Sequence, residues 1–78
     1  MKQFEDKLKS VFAQALGIDN KIISNGLAYR SIPQWDSITH MVLISEIESA
    51  FDISIETDDV IDMSSFARAV EIVQKYLS

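Results

Sequence analysis

The chain has 78 residues, 47% hydrophobic and 24% charged, with two glycines and one proline; that length makes one small domain over residues 1–78, and the composition excludes a disordered or low-complexity chain. Twelve acidic against seven basic residues leave a net charge of −5, a field that disfavours nucleic acid and anionic membrane as partners. With no cysteine there is no disulfide, thiolate metal site or cysteine nucleophile, so any thiol chemistry must arrive on an attached group. No apolar run approaches the length of a membrane span, and "MKQFEDKLKSVF" scatters charges where a signal peptide keeps an apolar core. A cytoplasmic protein without membrane insertion is expected.

In the first stretch, Phe4, Leu8, Val11, Phe12, Ala15 and Leu16 recur at three- and four-residue steps. This is the stripe of an amphipathic helix over 3–16, stopped by Gly17. Residues 17–36 hold both glycines, both asparagines and the proline, with apolar residues at Ile18, Ile22, Ile23, Leu27 and Ile32. The stretch reads as a long loop pinned to the core by those side chains. Asn25-Gly26 resembles a hairpin turn, but neither flank alternates.

A second helix is expected over 37–51. Ile38, Met41, Ile44, Ile47 and Phe51 form its inward row, widened by Val42 and Leu43, with Asp36 as N-cap. Ile53-Ser54-Ile55 is the one candidate strand, too short to matter alone. "TDDVID" forms one helical turn capped by Thr57, and Ser64 or Ser65 caps a last helix running to about Tyr76. Phe66, Ala69, Val70, Val73 and Leu77 face inward there, with Lys75 in the last turn, where a cation is favoured. The fold class is all-α: a small four-helix bundle of three main helices and one short one, with a long loop between the first two.

Candidate chemistry centres on Ser37. Asp-Ser at a helix start is what capping alone produces, yet a hydroxyl at a helix N-terminus also sits where an attached phosphate is favoured. Catalysis would need His40 to reach Ser37 and a third group to orient it. Adjacent residues on one helix rarely supply both, and no Gly-rich oxyanion loop or nucleophile elbow is present. No catalytic residue is therefore assigned, and His40 reads as a surface or half-buried helix residue. Asp52, Glu56, Asp58, Asp59 and Asp62 lack EF-hand spacing and its glycine, so they read as a solvated acidic face and no metal site is assigned. Trp35 either packs the loop onto the bundle or lines a pocket beside Ser37.

Taken together, "WDSI" opening a helix, "EIESAFDISI" closing it and "TDDVIDMSSFARAVEIVQKYL" at the end resemble the acyl carrier protein family over essentially the whole chain. The most specific part is Asp36-Ser37-Ile38, where the family usually shows Asp-Ser-Leu. The resemblance implies that Ser37 receives a covalent 4′-phosphopantetheine arm from coenzyme A, with Asp36, Ile38 and Trp35 flanking it. The arm's thiol would carry acyl groups as thioesters. It also implies a non-catalytic carrier, with a phosphopantetheinyl transferase and acyl-activating and acyl-transferring enzymes as partners. The bundle would shelter a short or medium acyl chain between its helices, and a monomer is expected.

Fatty-acid carriers line the exposed face of this helix with acids. Here Thr39, Val42 and Ser49 are neutral, leaving Glu46 and Glu48. Thr39, Val42, Glu46 and Glu48 are the candidate partner contacts. Val42 and Ile38 give an apolar docking face, and Trp35 before Asp-Ser is similar to carriers of specialised pathways, so a stand-alone carrier in a dedicated biosynthetic pathway is expected. The rival readings are an aminoacyl or peptidyl carrier of the same fold, an unmodified helical interaction module in which Ser37 is only a cap, and a small hydrolase using Ser37 and His40.

Overall fold

A computed structural model describes residues 3–77; Met1, Lys2 and Ser78, which belong to the expected 1–78 domain, lie outside the described residues. Helix α1 spans Gln3–Leu16 and buries Leu8, Val11, Phe12 and Leu16. Gly17 ends it in the left-handed region at φ 68°, and the Ile18 N–H closes back on the Ala13 carbonyl at 3.0 Å. A residue with a Cβ would be strained at that φ, so the stop is encoded by the glycine.

Residues 17–36 form the expected loop, with one 3₁₀ turn, Asn20–Ile22, capped by the Asp19 side chain. Ile23 and Leu27 are buried and Ile18 and Ile32 pack against the core, but Ile22 faces solvent rather than pinning the loop. The loop is tied to the far end of the chain by backbone bonds: Tyr29 N–H to the Ser64 carbonyl, 2.9 Å, and Phe66 N–H to the Leu27 carbonyl, 2.8 Å. The described residues contain no strand, only the isolated bridge between Ala28 and Ser65; residues 53–55, the candidate strand, carry no regular structure.

Helix α2 spans Ser37–Phe51 and buries Leu43, Ile44 and Ile47. The expected inward row is wrong at its start, because Ile38 is 78% exposed and Met41 58%. Steps of three residues rotate about 300°, so a run of only three-residue steps drifts about 60° backwards each time. Ile38 thus ends up opposite Ile47. The helix stops at Asp52, which adopts the left-handed conformation at φ 55°, a region that tolerates Asp better than most residues.

Helix α3, Thr57–Asp62, has Glu56 at its N-cap position with no side-chain cap bond; Thr57 is its first helical residue, not the expected cap. One and a half turns are not self-supporting, so side chains from α4, Phe66–Leu77, brace it. The Asp59 carboxylate accepts from Tyr76 OH at 2.6 Å and Lys75 Nζ at 2.8 Å. Arg68 pairs with Asp62 and reaches Glu71 at 2.6 Å. Ser65, one of the two expected candidates, caps α4 by accepting from the Arg68 N–H at 3.0 Å. The α4 row holds at Phe66, Ala69 and Val73, includes Ile72, and leaves Leu77 exposed at the chain's end.

Phe12 is the hub of the core, edge-on to Trp35 at 5.3 Å and to Phe66 at 5.0 Å between ring centroids. Phe12→Ala is expected to cost about 3–5 kcal/mol in chemical denaturation, a large share of a small domain's stability.

Hydrogen bonds from Lys75 and then Tyr76 hold the Asp59 carboxyl below the usual carboxylate range. A depressed folded pKa gives stability that is present above the unfolded pKa and lost as pH falls through the folded one. Asp59→Asn is therefore expected to lower the denaturation midpoint at neutral pH, and the gap to the unchanged protein should close as pH falls below the usual carboxylate range.

Candidate functional site

The loop enters α2 through Trp35, whose side chain is wholly buried. Arg30, in the left-handed conformation at φ 66°, turns the chain so that its N–H donates to the Trp35 carbonyl at 3.0 Å. Burying an indole N–H without a partner is costly, and here Trp35 Nε1 donates to His40 Nδ1 at 2.9 Å. His40 Nε2 lies 2.8 Å from the Val60 carbonyl. An indole can only donate and a carbonyl only accept, so His40 is the neutral tautomer with its proton on Nε2. Tyr29 flanks both rings edge-on, at 6.2 Å from Trp35 and 5.3 Å from His40.

One residue further on, the Asp36 carboxylate accepts the Thr39 N–H at 2.9 Å, and its carbonyl accepts the His40 N–H at 2.8 Å. That bond to the Thr39 backbone is the main reason its carboxyl is held below the usual range. Asp36, as expected, is the cap. Ser37 is not; it is the first helical residue, exposed, and its hydroxyl has no hydrogen-bond partner among the described residues. The capping role that the interaction-module reading gave Ser37 is thus already filled. The hydrolase reading is disfavoured as well, because both His40 nitrogens are engaged elsewhere and no base is hydrogen-bonded to Ser37 among the described residues.

Beside Ser37 lies a largely apolar cleft of about 310 Å³ between α2 and α3, walled by Met41 and His40 on one side and Val60 and Ile61 on the other, with Met63 and Tyr29 closing it. Of the cleft's lining, Met41 and Ile61, the latter at 75% exposure, also face solvent, and Ile38 and Val42, the latter at 46% exposure, are further exposed apolar side chains on α2. Of the candidate contacts, Val42 and Glu46 are exposed and Thr39 is half-buried. Glu48 is half-buried and accepts the Ile55 N–H at 2.8 Å, so it braces the segment after α2. Trp35 belongs to the support beneath Ser37 and does not line this cleft.

The acidic residues expected to form a solvated face are partly committed. Asp59 and Asp62 go to α4, and among the described residues no three His, Asp or Glu side chains converge on a metal position. No described helix is long and apolar enough to cross a membrane. Sequence reasoning missed the wall residues Met41, Val60, Ile61 and Met63 and the bridging role of His40. A buried tryptophan five residues before a histidine, across a helix start, is the one signal that could have pointed to the bridge.

An exposed, unengaged hydroxyl in the first turn of a helix, next to an apolar cleft, fits a phosphodiester-linked arm: the free N–H groups of that turn favour the anion, and the cleft offers cover for an apolar cargo. Comparisons with known proteins agree. A family model described as "Phosphopantetheine attachment site" matches residues 6–73. The acyl carrier protein of Buchnera aphidicola subsp. Baizongia pistaciae is 31% identical over 78 residues, covering 99% of each chain. That of Karelsulcia muelleri is 30% identical over 77 residues, covering 99% of this chain and 93% of its own. The solution structure of a holo acyl carrier protein from Geobacter metallireducens superposes with a TM-score of 0.82 at 25% identity, covering 92% of this chain and 83% of that one. A matched attachment-site model over most of the chain, full-length relatives and a shared four-helix fold place this chain in the acyl carrier protein family, whose members are non-catalytic carriers bearing 4′-phosphopantetheine.

Proposed function

We propose that Ser37 Oγ is the attachment point of the arm, installed from coenzyme A by a phosphopantetheinyl transferase. The carrying observation is that this hydroxyl is exposed and unengaged while Asp36 alone caps α2. The arm supplies a terminal thiol that holds acyl groups as thioesters. The chain's own residues do the rest. Asp36 fixes the start of α2, Trp35 and His40 hold that start to the core, and Met41, Val60, Ile61 and Met63 offer an apolar wall to a short or medium acyl chain. Tethering raises the local concentration of cargo at each partner enzyme without any bond-making by the carrier.

Ile38, Thr39, Val42 and Glu46 form the proposed docking face, with Glu48 left to its structural bond. Nothing charged stands on α2 before Glu46, which supports acyl-activating and acyl-transferring enzymes of a dedicated cytoplasmic pathway, recognised through apolar contact. The carrier acts as a monomer in this reading.

Incubation with coenzyme A, Mg²⁺ and a broad-specificity transferase should add one phosphopantetheinyl group to the folded protein by intact mass. Ser37→Ala should add none and should stay within about 0.5 kcal/mol in stability, as a surface change that leaves the Asp36 cap in place. A folded wild-type chain that gains no mass overturns the assignment.

Val42→Asp places a charge in the docking face and is expected to lower kcat/KM for the same transferase about tenfold with the thermal midpoint unchanged, the effect of one well-placed interface residue. An unchanged kcat/KM would remove Val42 from the face.

A further inference from the structure

Helix α3 forms one wall of the cleft, yet it is six residues long and lacks a side-chain N-cap. Its ties run in two directions. Asp59 and Asp62 bind α4 on one side. On the other, a side-chain bond ties it to α2, His40 Nε2–H to the Val60 carbonyl at 2.8 Å. That carbonyl lies in the last turn of α3, where carbonyls have no intrahelical partner. The same imidazole accepts the buried Trp35 N–H at 2.9 Å, so its ring is held from behind and cannot turn without orphaning the indole.

We propose that His40 is a positioning residue, a latch that seats α3 against α2 and so closes the cleft beside Ser37. With the latch made, Val60 and Ile61 stand opposite Met41 as a wall. When it is released, α3 stays joined to α4 through Asp59 and Asp62 but separates from α2, and the cleft opens to water. The consequence for cargo rests on the carrier reading above; the latch itself does not.

The test begins on the unmodified protein. Nitrogen-15 NMR of the wild type should show His40 Nδ1 bare, Nε2 protonated and the Trp35 indole N–H slow to exchange. The opposite tautomer or a fast-exchanging indole overturns the latch without any variant. In His40→Leu, amide exchange over residues 57–62 should quicken about tenfold, the size of one lost hydrogen bond in a locally opening segment, while α1 and α4 keep their protection. His40→Gln, whose amide both accepts and donates, should restore it. Uniform acceleration through all helices, or no rescue by Gln, overturns the proposal.

After arm attachment and loading with an octanoyl group, the thioester should hydrolyse faster in His40→Leu than in wild type and recover in His40→Gln. An unchanged half-life despite an opened α3 overturns the control of the cleft. Failure of the wild type to accept the arm counts against the carrier reading alone and leaves the α3 result standing.

Discussion

A buried indole N–H must have an acceptor, and much of this molecule follows from how that requirement is met. Trp35 sits fully inside, against Phe12 and Tyr29, where water cannot satisfy it. His40 satisfies it and donates its own Nε2–H to a carbonyl of α3. Loop, α2 and α3 therefore meet at one imidazole. Asp36 and Ser37 lie between the tryptophan and the histidine in sequence, so the start of α2 is held on both sides by groups anchored in the core. Ser37 is presented outward from a fixed base, although it stands at the end of a long loop.

The charges divide by the same logic. Asp59 and Asp62 on α3 are met by Lys75, Tyr76 and Arg68 of α4, which supplies the support that so short a helix cannot give itself. The early turns of α2 carry no charge after Asp36, and the apolar side chains there are not needed by the core, since Leu43, Ile44 and Ile47 begin the buried stripe later. What is left is a set of exposed apolar side chains on the early turns of α2 and an apolar cleft beside Ser37. A carrier has use for both: one to meet enzymes, the other to cover cargo between visits.

Much of the fold was legible in the sequence where a local rule applied alone. The three- and four-residue steps before Gly17 point to α1 and to its stop at Leu16, and Asp36 to the start of α2. The inward face of α2 was misread at Ile38 and Met41 because a chain of three-residue steps looks like a stripe while it winds around the helix. Thr57 was misread as a cap because a threonine before two aspartates has that pattern with or without the hydrogen bond. At the site, Asp36 and Ser37 alone leave capping and attachment indistinguishable. The family resemblance, and then the unengaged hydroxyl beside a cleft, are what support the proposed attachment at Ser37. The Trp35–His40–Val60 chain was not legible, because it joins three elements across 25 residues and depends on burial that no local pattern reports.

The central claim is that a covalent arm is borne by one particular hydroxyl of this chain. Fragmentation mass spectrometry of the transferase-treated protein tests it most directly, since it reads the modified residue itself. Every fragment carrying the added phosphopantetheine is expected to contain Ser37, and fragments ending at Asp36 to be unmodified. The added mass on any other residue, with Ser37 unchanged, would contradict it.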